Sequence, residues 1–252
     1  MPPYEDALPH LAAGKSADEE DLIIRRRYRL ARKFMPPSGE ILLDFGCGTG
    51  AQTLLFAPHF PVTIGVDINI RSLERLKAAA DARVPQRCVG PVYYDGIRLP
   101  LGRSSVDYAI SFEVLEHVTD EQEALDELSR VIRPGGVLVL SVPNRWWIFE
   151  THGADLPLLP WNRVPFFSWL PKRLHDRYAR ARNYTRTEIV RKIEHVGFTV
   201  LESVYVTAPM DVVKWSPLRN ALRKTFFRSD WTRLAPLATA ILTVAKRDGG
   251  GT

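Results

Sequence analysis

Ile41-Leu42-Leu43-Asp44-Phe45-Gly46-Cys47-Gly48-Thr49-Gly50 leads into a second apolar run, Ala51-Gln52-Thr53-Leu54-Leu55-Phe56, through a turn with glycine at every other position. The first run predicts a β-strand and the second a helix. Strand, glycine-rich turn and helix, in that order, are how α/β folds bring backbone N–H groups up to a nucleotide-like ligand. Lacking a Cβ, Gly46, Gly48 and Gly50 permit the tight turn and the close approach.

Outward from this loop the chain alternates strand and helix. Val62 to Val66 is a β-branched strand ending at Asp67, and Ser72 to Arg83 is a helix with Leu73 and Leu76 on one side. Arg87 to Val89 and Val106 to Ser111 read as the third and fourth strands. Asp120, with Glu123 three residues on, starts a helix that stops at Arg133-Pro134-Gly135-Gly136, and Val137 to Val142 is apolar enough for a strand buried on both faces. Such alternation predicts a parallel, doubly wound sheet. Upstream, Ser16-Ala17-Asp18-Glu19 is a capping box for a helix carrying Ile23, Leu30 and Phe34, which ends at Met35-Pro36-Pro37. Its Arg25-Arg26-Arg27 run reads as an exposed helix face, with reach to a ligand carboxylate as the alternative. Downstream the rhythm breaks from Pro143 to Asn183, resumes with a capped helix at Thr185 and a strand from Phe198 to Thr207, breaks again from Pro209 to Pro236, and ends on a strand at Ala240 to Ala245. The expectation is one domain over residues 1–252: an arm and helix at 1–38, a ligand-binding core at 39–143, and insertions at 144–184 and 208–236 that form a cap.

The 252 residues are 45% hydrophobic and 25% charged, ordinary values for a chain that buries a core. Residues 234–245, the longest apolar candidate, are broken by Pro236 and too short to span a bilayer. Met1-Pro2-Pro3-Tyr4-Glu5-Asp6 lacks the basic and apolar regions of a signal peptide, and two cysteines make no disulfide framework, so a cytoplasmic protein is expected. The net charge of +5 is uneven: Trp161 to Leu234 holds 15 Lys and Arg against 6 Asp and Glu. A basic, aromatic-rich third predicts an anionic or membrane-associated partner, or else a solvated surface.

Gly46, Gly48 and Ala51 satisfy a dinucleotide pattern weakly. The acids argue for another ligand. Asp44 lies two residues before the first glycine, where a pyrophosphate would be repelled; Asp67 ends the next strand, where it can hold a ribose diol; Asp95 precedes Gly96, where a base edge would lie. Acids around a nucleoside site suit a ligand with positive charge and no phosphate, and S-adenosylmethionine fits.

The loop from Ile41 to Gly50 resembles the first motif of class I S-adenosylmethionine-dependent methyltransferases. Leu99-Pro100-Leu101, Val106-Asp107-Tyr108, Glu113-Val114-Leu115-Glu116-His117-Val118 and Arg133-Pro134-Gly135-Gly136 resemble the small-molecule branch of ubiquinone- and menaquinone-pathway enzymes. The resemblance implies a Rossmann-like sheet of about seven strands with the last antiparallel. It also implies a cofactor cleft formed by Asp44, Phe45, Gly46, Gly48, Gly50, Asp67, Ile68, Asp95, Gly96, Phe112 and Glu113. In it Asp44 orders the amino end, Asp67 binds the ribose and Asp95 lies at the adenine.

Methyl transfer to a hydroxyl needs in-line positioning and a base or metal that removes the proton. Glu113, Glu116 and His117 would share a face if their turn is helical, and could then hold a divalent cation such as Mg2+. The pattern resembles the metal site of ubiquinone-pathway O-methyltransferases and small-RNA terminal 2′-O-methyltransferases. Those families add a histidine where this chain has Arg182-Asn183-Tyr184, which leaves His152 or His175 to substitute. His152 with Glu150, in the loop after the fifth strand, forms a candidate base and orienting carboxylate, and His117 is a further catalytic candidate. Phe166, Phe167, Trp169 and Leu170 beside Lys172, Arg173 and Arg177 read as an aromatic lid with a basic rim. The expected activity is O-methylation of a sugar, glycolipid or quinone-type acceptor, amphipathic or anionic, with peripheral membrane contact. RNA 2′-O-methylation and a non-catalytic cofactor-binding scaffold are the rival readings; no RNA-binding module is visible, so nucleic acid is not the expected partner.

Overall fold

The computed structural model describes residues 21–149, 152 and 165–249. The capping box at Ser16, the N-terminal arm and Glu150 lie outside the described residues. Helix α1 (Leu22–Phe34) precedes β1 (Ile41–Phe45), α2 (Thr53–Phe56), β2 (Val62–Asp67), α3 (Ile70–Arg83) and β3 (Cys88–Tyr93). Then come β4 (Val106–Phe112), α4 (Glu121–Val131), β5 (Ile132–Pro143), α5 (Lys172–Tyr178), α6 (Arg186–His195) and β6 (Phe198–Thr207). Helix α7 (Ser216–Lys224), β7 (Trp231–Thr232) and β8 (Ala238–Arg247) close the chain.

The strands form one sheet in the order β3-β2-β1-β4-β5-β8-β6-β7. Neighbours from β3 to β5 are parallel, and β8 runs antiparallel between β5 and β6. The α/β sheet with an antiparallel closing strand is the expected architecture. It has an eighth strand, because Trp231 and Thr232 pair with Val206 and Tyr205 at the edge. The order reverses between β1 and β4, so a crevice opens beyond their carboxyl ends, where ligands bind in such sheets.

Alternation along the strands divides the core. Leu43 and Phe45 of β1, with Leu138 and Leu140 of β5, pack against Leu125 and Leu128 of α4 and Ile189 and Ile193 of α6. Leu42, Val137 and Val139 face the other way, onto Leu30 and Ala31 of α1 and onto Phe56 and Phe60. The period of two in the strands and the helical period in α1, α4 and α6 thus place both layers. Asp120 caps α4 by accepting from the N–H groups of Gln122 and Glu123, and Thr185 caps α6 by accepting from that of Glu188.

Three local expectations change. The segment Pro209 to Pro236, irregular by pattern, contains α7 and β7. The helix after the glycine loop is one turn long and continues as a 3-10 turn over Ala57–His59, since Pro58 cannot donate to an α ladder. Arg26 and Arg27 are buried rather than on an exposed face. The Arg26 guanidinium donates to the carbonyls of Thr207, Ala208 and Phe227, tying α1 to the start of the second insertion and to the residues that follow α7. Among the described residues no helix is long and apolar enough to cross a membrane.

Candidate active site

The glycine loop is held by its own backbone. The N–H groups of Gly46 and Cys47 donate to the Val66 carbonyl at 2.8 and 3.0 Å, and that of Gly48 donates to Asp67 Oδ2 at 2.8 Å. Gly46 and Gly50 take φ of +75° and +94°, and a Cβ there would meet Val114 Cγ2 at 2.3 Å and Leu76 Cδ1 at 2.5 Å. A Cβ on Gly48 would meet nothing within 4 Å, so this glycine faces open space. Two glycines are demanded by packing; the third borders the space a ligand would take.

Asp44, Asp67 and Asp95 stand at the carboxyl ends of three adjacent strands, β1, β2 and β3. Asp44 is buried and accepts from Thr53 Oγ1 at 2.6 Å; burial raises its pKa to about 7, with the Thr53 hydroxyl opposing and Asp67 adding to the shift. Asp67 accepts from Gly48 and, through Oδ1, from the Asn69 N–H at 2.8 Å, which leaves lone pairs on both oxygens for a diol. Asp95 is exposed, and the N–H groups of Ile97 and Arg98 hold its carboxyl below the usual range. Gly96 adopts φ of +87° beside it. Phe45 is a core side chain, its ring 5.6 Å from that of Tyr94, so only its backbone borders the cleft. Ile68 packs partly buried on the same core, and Phe112 on the opposite one. Burial drives the Cys47 thiol pKa upward, which suits an inert small side chain.

Across the switch point the arrangement is different in kind. Glu113 leaves β4 with φ of +58°, a conformation uncommon for a residue with a Cβ. Its N–H donates to the Ser141 carbonyl at 2.9 Å, and its Oε1 lies 2.8 Å from an Arg27 guanidinium nitrogen and 3.2 Å from Ser141 Oγ. The residues that follow form a single turn, with the His117 N–H on the Val114 carbonyl, rather than the helix the i, i+3, i+4 spacing suggested. Glu113 is thereby directed to Arg27. Glu116, His117 and His152 form the cluster instead, each offering a ligand atom within 4.8 Å of the others. His152 Nε2 is 3.7 Å from Glu116 Oε1 and 4.0 Å from Glu113 Oε2, and the two imidazole rings meet edge to face at 4.9 Å.

Burial sets the charges here. Glu116 is fully buried, neither carboxyl oxygen accepts a hydrogen bond from a described residue, and desolvation with the nearby Glu113 charge pushes its pKa well above the usual range. His117 is pushed down to about 3 by desolvation, then by His152 and Arg182. Burial thus favours the neutral form of both, despite a separation of 3.9 Å that would suit an ion pair. His175, the other substitute considered, is buried in the first insertion, with Nε2 3.0 Å from Asn183 Nδ2 and Nδ1 3.2 Å from Asp176 Oδ1. It does not join the cluster. Arg182, from the Arg182-Asn183-Tyr184 segment, donates to the carbonyls of Val118 and Thr119 and brings a cation, not an imidazole, near His117.

A cavity of about 230 Å³ opens beside the cluster, walled by Arg27, Glu113, Trp147, Phe149, His152 and residues 209–212. Trp147 and Phe149 meet edge to face at 5.8 Å, and Trp147 packs on Ala208 and Phe227 of the second insertion. Arg27, Ser141, Trp147 and Phe149 were not singled out as site residues by sequence. The only signal for Arg27 was the Arg25–Arg27 run, and its burial depends on a long-range partner.

A family model described as a methyltransferase domain matches residues 17–203. A Mycolicibacterium smegmatis protein named "Probable S-adenosylmethionine-dependent methyltransferase" is 31% identical over 206 residues, spanning 80% of this chain and 66% of that protein. An O-methyltransferase of Penicillium expansum is 33% identical over 110 residues, 43% of this chain and 40% of its own length. The chain thus covers between 40% and 66% of the length of these curated relatives. The crystal structure of an S-adenosylmethionine-dependent methyltransferase from Mesorhizobium loti superposes with a TM-score of 0.61 at 20% identity, covering 88% of this chain and 98% of that one, a likeness of fold.

Proposed function

The chain belongs to the class I S-adenosylmethionine-dependent methyltransferases, and on that premise we propose that it methylates a hydroxyl oxygen of a small molecule, with His152 as the general base. The observation that carries this reading is the position of His152, in the wall of an aromatic cavity and beside two carboxyl groups.

The residues of the glycine side suit the cofactor. Gly48 faces open space, Asp67 retains lone pairs for a ribose diol, and Asp44 offers a buried carboxylate to an ammonium. When bound, S-adenosylmethionine supplies an electrophilic methyl group on a sulfonium and departs as the neutral thioether. The protein's part is to position the acceptor and take its proton. Trp147 and Phe149 exclude water and give an acceptor ring a flat wall. The carboxyl groups of Glu113 and Glu116 lie beside Nε2 of His152 and orient the ring, and the imidazole takes the hydroxyl proton. The named O-methyltransferase relative supports oxygen as the receiving atom. A cavity of this chemistry suits a ring-bearing sugar, glycolipid or quinone-type acceptor.

A metal-assisted version of the same transfer is the second reading, favoured by the fully buried Glu116 carboxyl in the cluster with His117 and His152. Two imidazoles and one carboxylate suit a transition ion better than Mg2+, which prefers oxygen ligands. If such an ion is held, it lowers the hydroxyl pKa, and His152 is a ligand rather than the base.

The test is transfer from labelled donor to pools of sugars, quinones, lipids and RNA, with and without chelator. The expected result is labelling of a small-molecule hydroxyl, insensitive to chelator and reduced by about 10²–10⁴ in His152→Gln with cofactor affinity unchanged. Chelator-sensitive turnover, together with metal retained by the wild type and lost from His117→Ala, assigns the second reading. Labelling confined to RNA overturns the small-molecule acceptor. Cofactor binding with no transfer to any pool makes the chain a scaffold.

A further inference from the structure

Helix α7 has no buried residue, although Leu222 leans on the small core made by Trp147, Ala208 and Phe227. Its apolar side chains recur at helical spacing: Trp215 before the first turn, then Leu218, then Leu222. Trp215 is 67% exposed, Leu218 43%, and beyond the helix Phe226 is 74% and Leu234 61% exposed. Side chains of this size seldom stand bare on a surface that meets only water.

Cations accompany them. Lys214, Lys224, Arg228 and Arg233 are exposed on the same stretch. The acids nearest in sequence are already engaged: Asp211 lies 2.6 Å from Arg223, and Asp230 pairs with Arg29 and Arg26. The positive charge of the face is thus unopposed by acids of its own segment. Projecting Trp, Phe and Leu beside basic residues match a surface with anionic headgroups over acyl chains. RNA would reward the aromatics and cations but not the leucines.

We propose that the face formed by α7 and residues 225–234 docks on an anionic phospholipid membrane. Residues 209–212 line the acceptor cavity immediately before this segment, so docking brings the cavity rim towards the lipid. Arg26, which donates to the carbonyls of Thr207, Ala208 and Phe227, fixes the face to the body of the enzyme. Docking of this face does not depend on which atom receives the methyl group.

The 252-residue chain is floated with vesicles of phosphatidylcholine alone, and of phosphatidylcholine with phosphatidylglycerol, at low and high salt. The expected result is binding to the anionic vesicles that weakens with salt. Trp215→Ser combined with Phe226→Ser should lower partitioning about tenfold or more, and Lys224→Glu or Arg228→Glu about fivefold each. All four side chains are exposed, so the variants should keep the wild-type melting temperature, and that measurement separates lost docking from lost folding. Absence of anionic-vesicle binding, or binding indifferent to these substitutions, overturns the proposal. So does a concentration-dependent dimer that the Trp215/Phe226 variant disperses, or capture by RNA in place of vesicles.

Discussion

The two halves of the crevice solve opposite problems. On the β1–β2–β3 side, the glycine loop and Asp67 are satisfied by neighbouring backbone before any ligand arrives. On the β4–β5 side, Glu116 is buried with no donor for its oxygens among the described residues, Glu113 is held in a left-handed conformation, and burial pushes the His117 pKa down to about 3. The first half is a preformed cradle, in which substitution acts on fold and affinity together. The second half holds polar groups in apolar surroundings, where interactions at the reacting atoms gain strength from low dielectric at a cost in stability. Val114 joins the two, packing over Gly46 immediately after Glu113.

That joint is where the contrast breaks most completely. Gly46→Ala forces an L-residue into φ of +75° and sets its Cβ 2.3 Å from Val114 Cγ2. Strain and overpacking together should cost about 2–5 kcal/mol, read as a lowered melting temperature, with cofactor affinity and acceptor turnover both reduced. Gly48→Ala has the same backbone problem without the collision, so it should lose affinity while remaining closer to wild type in stability. Equal destabilisation by the two would mean that Val114 does not clamp the halves together.

A smaller effect with the opposite sign is expected at Asp44. Its carboxyl titrates near 7 in the folded protein against an ordinary value near 3.8. Because the folded form holds the proton more tightly, the protein is favoured below pH 4 and loses stability as pH rises from about 4 to about 7. Asp44→Asn keeps an oxygen for Thr53 and removes the ionisation. It should therefore be more stable than wild type at pH 8, with little difference at pH 4. It should also bind the cofactor more weakly, since only the ionised aspartate attracts an ammonium; wild-type affinity should fall as pH drops below about 7. Chemical denaturation and calorimetric titration at pH 4, 6 and 8 test both signs. A variant less stable than wild type at pH 8 would remove the case for a costly buried charge.

The same contrast explains what could be read from sequence. The cofactor half is made of local units: Asp44 precedes Gly46 by two residues, the loop closes on the next strand, Asp67 ends β2, and Asp95 follows β3 closely. Periodicity and turn chemistry report such units directly. The acceptor half is assembled at long range. Arg27 reaches Glu113 from the first described helix, His152 reaches Glu116 from beyond β5, and Arg26 spans the chain to Phe227, so none of these contacts leaves a spacing signal. Where spacing was informative it misled, because the Glu113, Glu116, His117 pattern presupposed a helix. The φ of Glu113 sends its carboxylate to Arg27 and leaves the cluster to His152.

The smallest expected effect lies at the most deeply buried acid. Desolvation and the Glu113 charge favour the protonated form of Glu116, a form that Glu116→Gln mimics in shape and charge. Stability should change by less than about 1 kcal/mol, since no hydrogen bond to a described residue is lost. Turnover should stay within a few-fold of wild type, because the favoured neutral form of Glu116 lends His152 little electrostatic help and Glu113 remains in place. The substitution separates the two chemistries of the cluster. If Glu116 serves as an anionic ligand to a cation, the amide is a far weaker donor, and metal content and turnover would fall together by about tenfold or more. Metal content, turnover and melting temperature of this one variant thus decide whether the acceptor half works by a lone imidazole or by a metal ion.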